Sequence, residues 1–266
     1  MKRCGGHKLY KMIGKDPNRK LYKFGIERFF AILRKHNLLI KRRKRRIVTT
    51  DSSDWRKQYP NLIKGIIPHR PEQIVVSDIT YFKTERGPIY GHLITDAYSK
   101  KIMGYAVADN MKATTTLSAL KMAVRNRRNK EPMIHHSDRG MQYLSKIYTD
   151  FLTENDIAIS VTQDGNPGDN PIAERINGIL KDEFGFNGIF RNLKEAKEQM
   201  AVAVKDYNGY RPHMSCHYLT PNKMHRQRNL LVVTWKKNYR KEFQNLECST
   251  AGHNLDDPLL AANGDV

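Results

Sequence analysis

Three carboxylates stand where an acid is either costly or well aimed. Asp78 interrupts the run Gln73-Ile74-Val75-Val76-Ser77-Asp78-Ile79-Thr80-Tyr81-Phe82, a strand by its β-branched and aromatic composition. Buried there, a carboxylate needs compensation, which a bound cation supplies; on the solvated face of an edge strand it needs none. Asp138 follows a short strand, Pro132-Met133-Ile134-His135-His136, inside Ser137-Asp138-Arg139-Gly140. The carboxyl ends of strands are where α/β sheets gather their sites, although the same residue would serve to cap a helix beginning near Met141. Glu174 falls in the first turn and a half of a helix that Asn170 caps and Pro171 begins, a place where acids are common in any case.

Taken together the three have a narrower meaning. Isolated carboxyls titrate near 4, so a cluster of three would be ionised and self-repelling at neutral pH. Such a cluster makes sense around Mg²⁺ or Mn²⁺, hard cations that prefer oxygen ligands. Two such ions about 4 Å apart activate the attacking oxygen and stabilise the leaving one in an in-line phosphoryl displacement. Asp78, Asp138 and Glu174 are therefore the candidate catalytic residues and metal ligands. Asn177, Gly178 and Lys181 follow Glu174 at i+3, i+4 and i+7, on one helix face. Lys181 lies about 10 Å further along the axis, suited to the phosphate of a DNA strand, with Asn177 as a second DNA contact. The plain alternative for Lys181 is a solvated surface cation.

The elements that must position these residues follow from the pattern. Strands are expected over 73–82, 89–96 and 102–108, joined by Gly87-Pro88 and Ser99-Lys100 into an antiparallel meander. Then come a helix over 113–127, a strand at 132–136, a helix over 141–155, a strand at 157–161 and a helix from Asn170. That order predicts an α/β fold with a mixed five-stranded sheet and helices on its faces. Ahead of it, helices over 7–13 and 24–36 flank the turn Gly14-Lys15-Asp16-Pro17-Asn18, and Ile26, Phe29, Phe30 and Leu33 give the second an apolar face. The expected organisation is a basic helical segment at 1–46, a linker at 47–71, a catalytic core at 72–226 and a tail at 227–266.

Charge names the class of partner. The 266 residues carry a net +20, which favours a polyanion, nucleic acid before an anionic membrane. Residues 1–50 hold 17 Lys or Arg against Asp16 and Glu27, so one end is built for phosphate while the rest is mildly basic. The densest part, Lys41-Arg42-Arg43-Lys44-Arg45-Arg46, is a candidate DNA contact. Its alternatives are a solvated charge run and a nuclear address. Cys4, Cys216 and Cys248 have neither zinc nor disulfide spacing. With no 18-residue apolar run and no signal-peptide segment, the protein is expected to be soluble and to stay inside the cell.

The ordered set of segments resembles a known family. Between Asp138 and Glu174 lie 35 residues, the spacing of Asp-Asp-Glu transposases and retroviral integrases. Ser77-Asp78-Ile79-Thr80-Tyr81, His136-Ser137-Asp138-Arg139-Gly140-Met141-Gln142-Tyr143 and Gly165-Asn166-Pro167 to Glu174-Arg175 closely resemble the IS-three insertion-sequence family. So do Leu180-Lys181-Asp182-Glu183, Tyr207-Asn208-Gly209-Tyr210-Arg211-Pro212-His213 and Thr220-Pro221. The likeness runs from about residue 5 to 226; Pro171 and Cys216 depart from it without touching the three acids. It implies a ribonuclease H-like integrase core, metal-dependent cleavage at an element's 3′ ends and strand transfer, often to the opposite end to give a circle. It also implies a homo-oligomer acting on terminal inverted repeats and target DNA, with an upstream-frame helix-turn-helix protein as fusion or partner. Residues 1–46 would be a shortened form of the family's additional helix-turn-helix-like segment. Two other readings have different signatures. A DNA-binding protein without catalysis would not need three ligand carboxylates, and a retroviral-type integrase would carry an N-terminal His/Cys zinc module.

Overall fold

The computed structural model describes residues 4–14, 25–39, 59–163, 170–230 and 232. The basic hexad Lys41–Arg46, most of the linker and residues 233–266 lie outside them. The described residues belong to one compact unit that runs to Val232.

Strand β1 (Ile74–Thr84) is the spine of the sheet. It pairs antiparallel with β2 (Gly87–Asp96), which pairs antiparallel with β3 (Ile102–Ala108). On its other side β1 runs parallel to β4 (Met133–Ser137), and β4 to β5 (Ile157–Val161). The path β3-β2-β1-β4-β5 is the expected mixed five-stranded sheet, with one addition: two residues, Ile189–Phe190 (β6), pair parallel with Lys83 and Thr84 of β1. β4 accompanies β1 only over Ile74–Val76. Among the described residues no strand pairs with Ser77–Phe82 on that edge, so β1 is open there between its β4 and β6 partners.

The two faces of β1 enter different cores, as a period of two requires. Val75 and Ile79 face helices α3 (Ala113–Arg125) and α4 (Lys146–Glu154), in a cluster with Leu120, Tyr148 and Leu152. Phe82 packs on the other face with Leu93, and with Ile176, Ile179 and Leu180 of α5 (Pro171–Glu183). That layer is completed by Met200, Ala203 and Tyr207 of α6 (Leu193–Gly209). A short helix α7 (Pro221–Met224) closes the fold near Tyr98 and Cys216. Gly104 of β3 is needed for its lack of a side chain: a Cβ there would lie 2.1 Å from the Ala119 carbonyl oxygen of α3.

Several elements differ from expectation. The sequence reading places nothing between the helix of Glu174 and the Tyr207–His213 stretch. The structure fills it with α6, whose buried Ala196, Met200, Ala203, Val204 and Tyr207 recur at helical spacing. Its start is marked by Asn192, whose side chain accepts from the Glu195 amide at 3.0 Å. The helix expected over 141–155 begins only at Lys146, because Gly140–Ser145 turns instead to bury Tyr143 against Ser77 (hydroxyl to hydroxyl, 3.1 Å). At the other end of the chain, helices Gly6–Ile13 (α1) and Ile26–Lys35 (α2) meet through His7, Tyr10, Phe29 and Phe30. Helix α1 is tied to α5 by Lys8, whose ammonium donates to Glu183 at 2.7 Å.

Candidate active site

Asp78 occupies the middle of β1 and, being even-numbered like Phe82, leaves on the α5 face. One oxygen accepts from the Ile79 amide at 2.9 Å, the other from Asn177 Nδ2 at 2.6 Å. Burial raises its pKa to about 7, helped by the negative charge of Asp138 and, more weakly, of Glu174, against the lowering effect of those two bonds. Asp138 comes directly after β4, at the point where β4 leaves β1. Its Oδ1 accepts from the Gly140 amide at 2.9 Å, and a Cβ on Gly140 would press on that same oxygen at 2.9 Å. Asp138 is exposed by surface area yet crowded by protein, and this crowding raises its carboxyl above the ordinary range. Glu174 is exposed in the first turn of α5, and partial burial raises it too.

Of the three predicted acids, Asp78 thus feels the charges of the other two. Among the described residues none of them has a Lys, Arg or His partner. Nor, among the described residues, are any three His, Cys, Asp or Glu side chains drawn tightly enough to form a ready-made metal cage.

Two asparagines tie α5 to β1. Asn170 stands at the N-cap of α5 but makes no side-chain cap; its Nδ2 donates instead to the Ser77 carbonyl at 2.8 Å. The start of α5 is thereby pinned to the residue before Asp78. Asn177, expected to reach DNA, is 6% exposed and turned inward to Asp78. Its i+3 spacing from Glu174 was the available signal, since that spacing puts it on the face shared with the acids.

Behind the site the neighbouring residues are structural. His135 accepts or donates at 2.9 Å to the Tyr148 hydroxyl, and burial lowers its pKa to about 3, so it is neutral at physiological pH. His136 meets Ser160 at 2.9 Å. The Lys181 ammonium lies 4.7 Å from the centre of the Tyr81 ring and 5.9 Å from that of Phe82.

Models of the integrase core domain match residues 68–167 and 155–221. The insertion element IS600 uncharacterized 31 kDa protein of Shigella sonnei is 32% identical over 199 residues, 74% of this chain and 73% of that protein. The transposase for insertion sequence element IS629 of Shigella sonnei is 34% identical over 56% of this chain and 50% of its own length. The chain thus spans about three quarters of the first relative and half of the second. Among solved structures, a chain of the simian T-cell lymphotropic virus intasome in complex with PP2A regulatory subunit B56 gamma superposes with a TM-score of 0.52 at 20% identity. That match covers 88% of this chain and 79% of the other. It shows the fold: the mixed sheet flanked by helices is the ribonuclease H-like integrase core that the resemblance implies.

Proposed function

The chain belongs to the IS-three family of insertion-sequence transposases, built on an integrase core, and from that premise we propose that it cuts and rejoins DNA at Asp78, Asp138 and Glu174. The observation that carries this reading is Asp78, crowded by protein, raised further by the charges of Asp138 and Glu174 and without a cationic partner among the described residues, in the stretch of β1 that no described strand pairs on its β4 edge. An all-oxygen donor set with unbalanced negative charge fits a divalent cation. Asp78, Asp138 and Glu174 would hold Mg²⁺ or Mn²⁺, as a pair of ions. When bound, such ions lower the pKa of an attacking oxygen and offset charge on the leaving one.

The protein's own residues supply the positioning. Asn177 fixes one oxygen of Asp78, and Asn170 keeps the start of α5, hence Glu174, against β1. Lys181 takes a phosphate of the strand being cut, and the hexad Lys41–Arg46 holds DNA through salt-sensitive backbone contacts. The reaction is two in-line displacements: water breaks the phosphodiester at the element's 3′ end, leaving a 3′-hydroxyl on the element and a 5′-phosphate on the flanking strand; the freed 3′-hydroxyl then attacks a phosphodiester of a second strand and displaces that strand's 3′-oxygen. No covalent protein–DNA link is required. On this reading residues 72–226 are the catalytic core, and 1–46 a basic segment that the linker 47–71 joins to it. The working form is an oligomer on terminal repeats and target DNA, with an upstream-frame helix-turn-helix protein as fusion or partner, beside the nucleoid of a bacterial cytoplasm.

The test uses the full chain, fused to its upstream frame, with terminal-repeat DNA and Mg²⁺ or Mn²⁺. Asp78→Asn, Asp138→Asn and Glu174→Gln should each lose cleavage and joining together while retaining DNA binding. A neutralised variant that joins ends at the wild-type rate removes that residue from the site. A wild-type chain that binds DNA but never cuts it leaves a binding protein in place of an enzyme.

A further inference from the structure

The open stretch of β1 presents one large aromatic side chain to solvent. Tyr81 is 54% exposed, in a strand whose Phe82 is 1% exposed. It leaves β1 on the face opposite Asp78, yet Lys181 reaches its ring from α5, which lies on the Asp78 side. Among the described residues no strand pairs with Ser77–Phe82 on the β4 edge of β1, so no partner strand stands between α5 and Tyr81 there.

The pair is also in line with the acids. Three strand residues place Tyr81 about 10 Å beyond Asp78, and seven helical residues place Lys181 about 10 Å beyond Glu174. Both displacements run the same way, since α5 packs along β1. In a duplex that distance is about three base-pair steps along one strand. A half-exposed aromatic ring under an ammonium offers two things at once: a surface for the flat face of a base, and a charge for the phosphate beside it. A peptide or an apolar ligand would use the ring but not the cation.

We propose that Tyr81 is a stacking platform for an unpaired base of the DNA strand within about three nucleotides of the phosphodiester being cut, with Lys181 holding the adjoining phosphate. The proposal rests on the DNA-cutting assignment of the acids. Opening the last pairs of a DNA end would let the strand follow the bare edge of β1, and the platform offsets the stacking lost on opening.

The experiment pairs a protein change with a DNA change. The full chain, with Mg²⁺, is titrated against a short duplex whose 3′-terminated strand carries unpaired end nucleotides, and against versions abasic at each of them in turn. Tyr81→Ala should weaken binding to the intact end roughly 5- to 150-fold, the range for one base–aromatic stack. Tyr81→Phe and Tyr81→Trp should bind like wild type. At one abasic position Tyr81→Ala should cost nothing further, and 2-aminopurine placed there should be quenched by wild type and not by the variant. Equal losses on intact and abasic ends, or no loss at all, overturn the platform. These outcomes are independent of chemistry. If Asp78→Asn abolishes cutting while the coupling is absent, the active-site assignment stands and the platform falls; if the coupling is present and nothing cuts, the reverse holds.

Discussion

Helix α5 carries a glutamate at each end, and the protein treats them in opposite ways. Glu174, in the first turn, adds its charge to the field on Asp78 and has no ion-pair partner among the described residues. Glu183, the last residue, is gripped by Arg211 through two bonds of 2.7 and 2.8 Å and by Lys8 at 2.7 Å. A carboxylate at a helix C-terminus opposes the macrodipole, and burial would raise it further. Arg211 and Lys8 overcome both and hold it below the ordinary range. Lys8 gains less from the arrangement: burial and the repulsion of Arg211 outweigh Glu183 and lower it to about 8. The pair that matters is Arg211–Glu183. A second balanced cluster lies at the other end of the sheet, where His225 sits 3.3 Å from Glu72 and 3.8 Å from Asp96, all three nearly without exposure. On the proposed function, the contrast separates acids that build the fold from acids kept for a ligand. Balanced charge marks structure here, and unbalanced charge kept by the fold marks a candidate site.

The largest effect should come from neutralising the unbalanced cluster, and it should split activity from stability. Asp78→Asn is expected to abolish DNA cleavage, while in EDTA its thermal midpoint at pH 7 is unchanged or higher than wild type. The direction follows from a folded-state pKa of about 7 against an ordinary 3.8: the ionised form disfavours folding, increasingly as pH rises from about 4 to 7. Metal-free wild type should therefore gain stability on acidification through that window, and Asp78→Asn should lose that dependence. A variant that is strongly destabilised at pH 7 would place Asp78 among the structural acids.

Glu183→Gln should do the opposite. It leaves the Arg211 guanidinium, 2% exposed, without its counter-charge, and the expected cost is about 3–5 kcal/mol, as for other broken buried pairs. Urea denaturation measures it. Lys8→Met, which leaves the Arg211–Glu183 pair whole, should cost markedly less. Equal losses would mean that the docking of α1, rather than the charge balance, is what Glu183 provides.

How much of this was readable beforehand depends on the distance along the chain over which each feature is made. The meander and the alternating helices could be read because β-branched runs, Gly87-Pro88 and the Asn170-Pro171 start are local signals. The three acids could be read as a set from residue type and order. The clusters that balance charge could not: Lys8 and Glu183 are 175 residues apart, and Glu72 and His225 are 153 apart. No periodicity announces such a pairing. Asn177 shows the same limit at short range. Spacing put it on the right face of α5, but only packing decides whether an amide turns toward solvent or toward Asp78. Helix α6 was within reach, since Asn192-Leu193-Lys194-Glu195 is a helix-start pattern followed by apolar residues at helical spacing.

The His225 cluster should show a moderate, pH-dependent effect. Burial would lower His225, but Asp96 and Glu72 outweigh it and its pKa is raised above 6.5. For both acids burial is likewise outweighed, and both are lowered. The stability due to His225 is thus complete below about pH 6.5 and is lost as pH rises through its folded-state value. The part due to the two carboxylates is present above about pH 4.5 and is lost in acid. His225→Gln should cost about 1.5–3 kcal/mol at pH 6, the range for hydrogen bonds to charged groups, and less at pH 8. A cost that does not change with pH would show that His225 is neutral there and serves by packing alone.

The smallest effect tests whether distance or burial makes the difference. Lys146 and Asp150 meet at 2.8 Å, almost the separation of Lys8 and Glu183, but their side chains are 87% and 47% exposed. Water screens both ions before and after the pair forms, and two flexible side chains lose freedom in forming it. Lys146→Ala should therefore leave the urea midpoint unchanged within measurement, at low salt and high salt alike. The helix dipole gives no reason to expect more, because Lys146 opens α4, at the end where a cation is disfavoured. Were this substitution to cost as much as Glu183→Gln, opposition of charge alone would stabilise this protein. The unbalanced acids around Asp78 would then need an explanation other than a withheld partner.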